Sequence, residues 1–132
     1  MAAKVASPSL VTDASSLWLW CRNGVDGRPR AREEFEDLPV DARAKLSVTI
    51  ARHLKGESRA KDVDHLGNGL YEIRVRHLNN QYRVLFIGWG PHRVGLTAFM
   101  KNQQATPKVF KQRATKRAAQ WLDYFGQTPD AH

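Results

Sequence analysis

Between Leu66 and Pro107 the chain reads LGNGLYEIRVRHLNNQYRVLFIGWGPHRVGLTAFMKNQQATP. Three short runs rich in Val, Ile, Leu, Phe and Tyr are separated there by an Asn-rich and a Gly/Pro-rich break, a pattern that predicts an antiparallel three-strand meander. In the first run Tyr71, Ile73 and Val75 point one way and Glu72, Arg74 and Arg76 the other. A turn at His77-Leu78-Asn79-Asn80 follows. The second run then sets Tyr82, Val84 and Phe86 against Arg83, Leu85 and Ile87. Gly88-Trp89-Gly90-Pro91-His92 reads as the next turn, and Arg93 to Met100 as the third strand, leading into Lys101. One face of this meander is apolar and needs covering; the other carries guanidinium groups, which suits it to hold a phosphodiester.

Around the meander the period changes. Leu17 to Cys21 (LWLWC) is short and aromatic, the pattern of a first strand, and Asn23-Gly24 and Asp26-Gly27 break the chain after it. A helix is expected over Arg30–Leu38, stopped by Pro39. A second helix begins near Val40 or Asp41. Ala42, Leu46, Ile50 and Leu54 recur at every fourth position as its buried stripe, and Gly56 closes it. Glu57 to Asp64 reads as a polar loop. The last helix runs from about Lys108 to Phe125, with Thr106 as N-cap, Pro107 in its first turn, and Phe110, Ala114, Ala118, Trp121, Leu122 and Phe125 facing inward. Residues 1–15 read as a flexible arm, 16–126 as one domain, and 127–132 as a flexible tail. The order β-α-α-β-β-β-α predicts an α+β fold, a mostly antiparallel sheet with helices packed on one face.

Composition narrows the possibilities. A chain of 132 residues, 42% hydrophobic and with four tryptophans, has material for one core. The single cysteine, Cys21, excludes an intrachain disulfide and a cysteine-based zinc cluster, and no His/Asp/Glu spacing suggests another metal. No apolar run approaches membrane-span length, so a soluble, cytoplasmic protein is expected. The net charge of +8 is unevenly spread. Residues 1–40 hold 5 Lys+Arg against 6 Asp+Glu, whereas residues 41–132 hold 16 against 7. A positive field this concentrated favours a polyanion: nucleic acid, a ribosomal surface or an acidic protein.

The segments GLYEIRVRHLNNQYRVLF and FMKNQQATP, followed by a basic helix, resemble the RelE/ParE toxin superfamily, and within it the phage-derived HigB-like branch. The likeness spans about Leu17 to Phe125 and is most specific from Gly69 to Pro107. It implies the toxin of a type II toxin–antitoxin system, partnered in a hetero-oligomer by a helix-turn-helix antitoxin. It further implies a ribosome-dependent endoribonuclease that cuts mRNA in the A site of the 30S subunit. The chemistry so implied uses no metal or other cofactor: the ribose 2′-OH attacks the adjacent phosphorus. Such a reaction calls for cations around a phosphorane and a path for protons.

By position, the resemblance makes Arg74, Arg83 and Lys101 the catalytic candidates and Arg76 a contact to the RNA backbone. His77, Trp89, Lys108, Lys61 and His65 complete the RNA-binding candidates, with Trp89 expected as an exposed stacking platform in its turn. Two family cations are replaced by Asn102 and Ala105, a loss that His65, His77, Lys61 or Lys108 would have to make good. Read from residues alone, without the resemblance, Arg74 and Arg76 alternate on a strand and describe an ordinary solvent face first. Two other readings of the same fold stand beside the nuclease: a ParE-like gyrase inhibitor without catalysis, and a basic RNA- or ribosome-binding protein.

Overall fold

The computed structural model describes residues 17–24, 27–101 and 106–129. Eight elements follow in order: β1 (Trp18–Trp20), α1 (Arg30–Glu36), α2 (Val40–Leu54), β2 (Val63–Gly67), β3 (Leu70–His77), β4 (Asn80–Trp89), β5 (His92–Lys101) and α3 (Lys108–Phe125). The expected α+β class and the meander are both present. The five strands form one sheet in the order β1-β5-β4-β3-β2. β1 runs parallel to β5 at the edge, and every other pairing is antiparallel. The close approach of β1 depends on Gly95, where a Cβ would lie 2.6 Å from the Trp20 ring.

Two expectations need correcting. The polar stretch before the meander is not all loop: β2 begins at Val63 and pairs with β3 from Val63↔Ile73 to Gly67↔Leu70. Its hairpin turns on Asn68-Gly69, both at positive φ (53° and 79°), the backbone that an Asn-Gly pair adopts at least cost. The helices also lie on both faces of the sheet rather than one. Ile73, Tyr82, Val84 and Phe86 pack with Ala42, Leu46 and Ile50 of α2. Leu85, Ile87, Val94 and Leu96 pack with Ala114, Trp121 and Phe125 of α3. Strands β4 and β5 are therefore apolar on both sides for part of their length, while the alternation read in β3 holds from Tyr71 to Arg76. The short α1 lies beside β5, where Glu34 accepts a 3.3 Å hydrogen bond from the Ala98 amide.

Other expectations hold. α2 ends as read, with Gly56 at φ 74° donating its amide to His53 O. Cys21 is buried, and burial pushes its thiol up to about 12. The expected arm, residues 1–15, falls wholly on residues outside those described, as do Asn102 and Ala105. No helix among the described residues is long and apolar enough to cross a membrane.

Candidate active site

The face of the sheet under α3 is not apolar throughout. α3 shields Leu85, Ile87 and Leu96, and the stacked pair Phe99–Phe110, 3.8 Å between ring centroids, closes the apolar part. Beyond that pair lies the end where β5 runs out, and strand register gathers polar residues there. Arg74 stands opposite Arg83, Arg76 opposite Gln81, and Gln81 in turn opposite Lys101.

At the centre is Glu72, only 1% exposed. Arg83 Nη1 donates to its Oε1 at 2.5 Å, and the Thr106 hydroxyl hydrogen-bonds its other oxygen. Arg83 is 3% exposed; Nη2 donates to Gln81 Oε1, and Nε is buried without a hydrogen-bond partner. Lys101 is 4% exposed. Burial holds its ammonium below the usual lysine range, the nearby guanidinium of Arg83 adds to the effect, and Glu72 only partly opposes it. Arg74 and Lys111 also lie close enough to lower it further. One carboxylate thus faces a surplus of cations.

Of the residues named from sequence, this centre joins Arg83 and Lys101, with Arg74 at its margin. Arg74 reaches over the sheet edge: its Nε donates to Lys61 O at 3.0 Å, and Nη1 lies 3.7 Å from Asp64 Oδ2. Arg76 is exposed on the same strand, and its carbonyl accepts from Lys45 Nζ at 3.1 Å. Both arginines also line a groove of about 500 Å³ against Lys45, Val48 and Arg52 of α2. Lys61 contributes its carbonyl to Arg74, and Lys108 is exposed at the start of α3.

Three candidates lie elsewhere. Trp89 is no exposed platform: the turn is shorter than expected, Gly90-Pro91 alone, so Trp89 belongs to β4. It is 3% exposed against Trp121, and its Nε1 donates to Gly126 O at 2.9 Å. His65 stacks on Tyr71, on the α2 side of the sheet. His77 points to that side too, its Nε2 lying 3.7 Å from Asp41 Oδ2 of α2. Neither histidine is placed to replace a missing cation beside Lys101.

Glu72, Gln81 and Thr106 were not singled out for the site. Glu72 shares the polar face of β3, where neutralising Arg74 is the simple expectation; it pairs with Arg83 instead. Thr106 is not an N-cap, for α3 is capped by Pro107 with no side-chain hydrogen bond. The sequence signal for Glu72 was a carboxylate among three arginines on one face of a hairpin.

Residues 33–119 match the family described as "Phage derived protein Gp49-like". This chain belongs to that family. It is also 44% identical over 116 residues, 88% of its own length and 93% of the relative's, to "Probable endoribonuclease HigB1" of Mycobacterium tuberculosis, in both strain CDC 1551 / Oshkosh and strain ATCC 25618 / H37Rv. The HigB-like resemblance carried by the meander is borne out across most of the chain.

Proposed function

We propose that this Gp49-like chain is the toxin of a toxin–antitoxin pair, an endoribonuclease that cuts mRNA on the ribosome in the cytoplasm. The observation that carries the reading is Lys101, a buried lysine with a lowered pKa beside a carboxylate outnumbered by cations. The named activity of the 44%-identical relative supports the same reading.

In the proposed reaction the 2′-oxygen bonds to phosphorus while the P–O5′ bond breaks, leaving a 2′,3′-cyclic phosphate and a 5′-OH. The phosphoryl oxygens gain charge and the leaving oxygen needs a proton. Arg74 and Arg76, at the rim, hold the phosphate; their forked donors match two oxygens at once. Lys101 gives its proton to the 5′-oxygen, and an ammonium of lowered pKa is a better acid for that task. The proton of the 2′-OH leaves to solvent. Arg83 is too deeply engaged with Glu72 and Gln81 to wrap a phosphate, and acts by fixing the field around Lys101. The partner is an antitoxin of helix-turn-helix type, which keeps the cation-rich end from RNA.

Primer extension on a defined mRNA, with and without translating ribosomes, tests this. Cuts by wild type that require ribosomes are expected. Cuts without ribosomes would make the chain a free ribonuclease. Growth arrest with no cuts in either arm would move the function to a non-catalytic inhibitor of the gyrase-binding kind.

A further inference from the structure

A second basic hollow lies away from the Lys101 centre, where the end of β1 meets the middle of α3. It has a volume of about 230 Å³ and is lined by Arg22, Arg28, Arg30 and Arg117 with Asn23 and Gln120. Among the described residues no carboxylate lines it. Arg28 leans on Glu33 and Arg117 on Glu34, each at 2.9–3.0 Å. Arg22 and Arg30 make no ion pair among the described residues.

The convergence is built by the backbone. The chain turns tightly after β1, with Gly27 N donating to Gly24 O at 3.2 Å. A Cβ on Gly27 would lie 2.2 Å from Asn23 O, so this return path is open only to glycine. It folds Arg28 and Arg30 back beside Arg22. From the other side α3 presents Arg117 and Gln120, three residues apart and so on one face. Arg117 is held in place by two hydrogen bonds to Glu34 and one to Leu96 O. Three separate segments thus line one concavity with arginines, and no described carboxylate of the chain lines it.

We infer that this hollow seats a backbone phosphate of the RNA strand whose scissile linkage lies at Lys101. The inference rests on the nuclease reading for the identity of the strand. α3 joins the two places: Lys111 lies within electrostatic reach of Lys101, Arg117 lines the hollow six residues on, and Arg113 lies between them over the Phe110 ring. At about 1.5 Å per residue the separation along the helix is about 9 Å, the span of roughly three stacked nucleotides. The hollow sets where the strand lies and leaves the bond-breaking step to Lys101.

The test uses a twelve-residue RNA fully 2′-O-methylated, which binds but cannot be cut, with wild type and the double variant Arg22→Gln/Arg30→Gln. Both positions are outside the core, so the variant is expected to unfold at the same urea midpoint as wild type. The variant should bind roughly tenfold more weakly. Its plot of log affinity against log salt should be shallower by about 0.7 for each phosphate it no longer engages. A single neutral methylphosphonate, moved along the RNA, should weaken wild type at one linkage and leave the variant unaffected there. Equal affinity and equal salt slope in the two proteins would overturn the inference, as would no RNA binding by wild type. Pyrophosphate protecting wild type alone from thermal unfolding, with RNA affinity unchanged by the substitutions, would also overturn it and give the hollow to a free nucleotide. A variant that binds RNA poorly while wild type cuts nothing removes the nuclease reading and keeps the site. Normal cutting with normal binding by the variant removes the site alone.

Discussion

Two carboxylates in this molecule, Glu72 and Glu34, are each gripped by an arginine and a threonine hydroxyl, yet their surroundings differ. Glu34 accepts from Thr97 Oγ1 at 2.7 Å, from the Ala98 amide, and from both terminal nitrogens of Arg117. Arg113 lies 3.7 Å away as its only other cation partner among the described residues. These contacts tie α1 to β5 and α3, a structural clamp in which one carboxylate is bonded by Arg117 and the second cation, Arg113, stays partly in solvent. Glu72 is deeper, and around it Arg83, Lys101 and Arg74 outnumber the single negative charge. A carboxylate bonded to one arginine, with the further cation out in solvent, describes a clamp. Surplus buried positive charge costs stability, and that cost is a reason to look there for chemistry.

The sharpest way to break the comparison is at the surplus itself. Lys101→Met should lower single-turnover cleavage by about 10²–10⁴, the usual worth of a positioned proton donor. The same change should not weaken the fold. A lysine whose folded pKa lies below its unfolded one binds fewer protons in the native state, so the charged form disfavours folding at neutral pH, and stability rises as pH climbs between the two values. A urea midpoint equal to or above wild type is therefore expected for Lys101→Met.

Glu72→Gln does the opposite. It removes the only carboxylate partner of Arg83 among the described residues and leaves buried positive charge uncompensated, at a cost of about 3 kcal/mol by urea unfolding. At the clamp the effect is smaller. Glu34→Gln keeps a hydrogen-bonding side chain in a less buried place and should cost about 1–2 kcal/mol. Burial raises the Glu34 carboxyl, but its bonds to Arg117 and Thr97 outweigh that and hold it below the ordinary glutamate range. Its stabilisation is accordingly full above the unfolded pKa and disappears as pH falls through the folded one. Wild type should lose stability on that acid limb faster than Glu34→Gln, as thermal melts between about pH 6 and pH 3 would show.

Much of the fold was legible because the meander announces itself locally: alternating runs, short turns, a four-residue stripe on α2. What was missed depended on distant partners. The strand Val63–Gly67 has a weak pattern of its own and exists by pairing with β3 across Asn68-Gly69. Trp89 looked exposed because glycines flank it, but α3 packs on it from more than thirty residues away. His65 and His77 were suggested by chemistry alone, and strand parity puts them on the α2 side. Arg83 and Lys101 were both picked out from the sequence as candidates, and the register of the hairpin brings them near one another. Glu72 at their centre needed the third dimension, because the pairing with Arg83 is diagonal across two strands.

The most direct test sets the two carboxylate centres side by side: single-turnover cleavage of a defined mRNA by wild type, Lys101→Met and Glu34→Gln, each checked for folding by urea unfolding. A folded Lys101→Met that has lost its cuts, beside a Glu34→Gln that cuts as wild type does, is the predicted result. Cleavage at the wild-type rate by folded Lys101→Met would contradict the account.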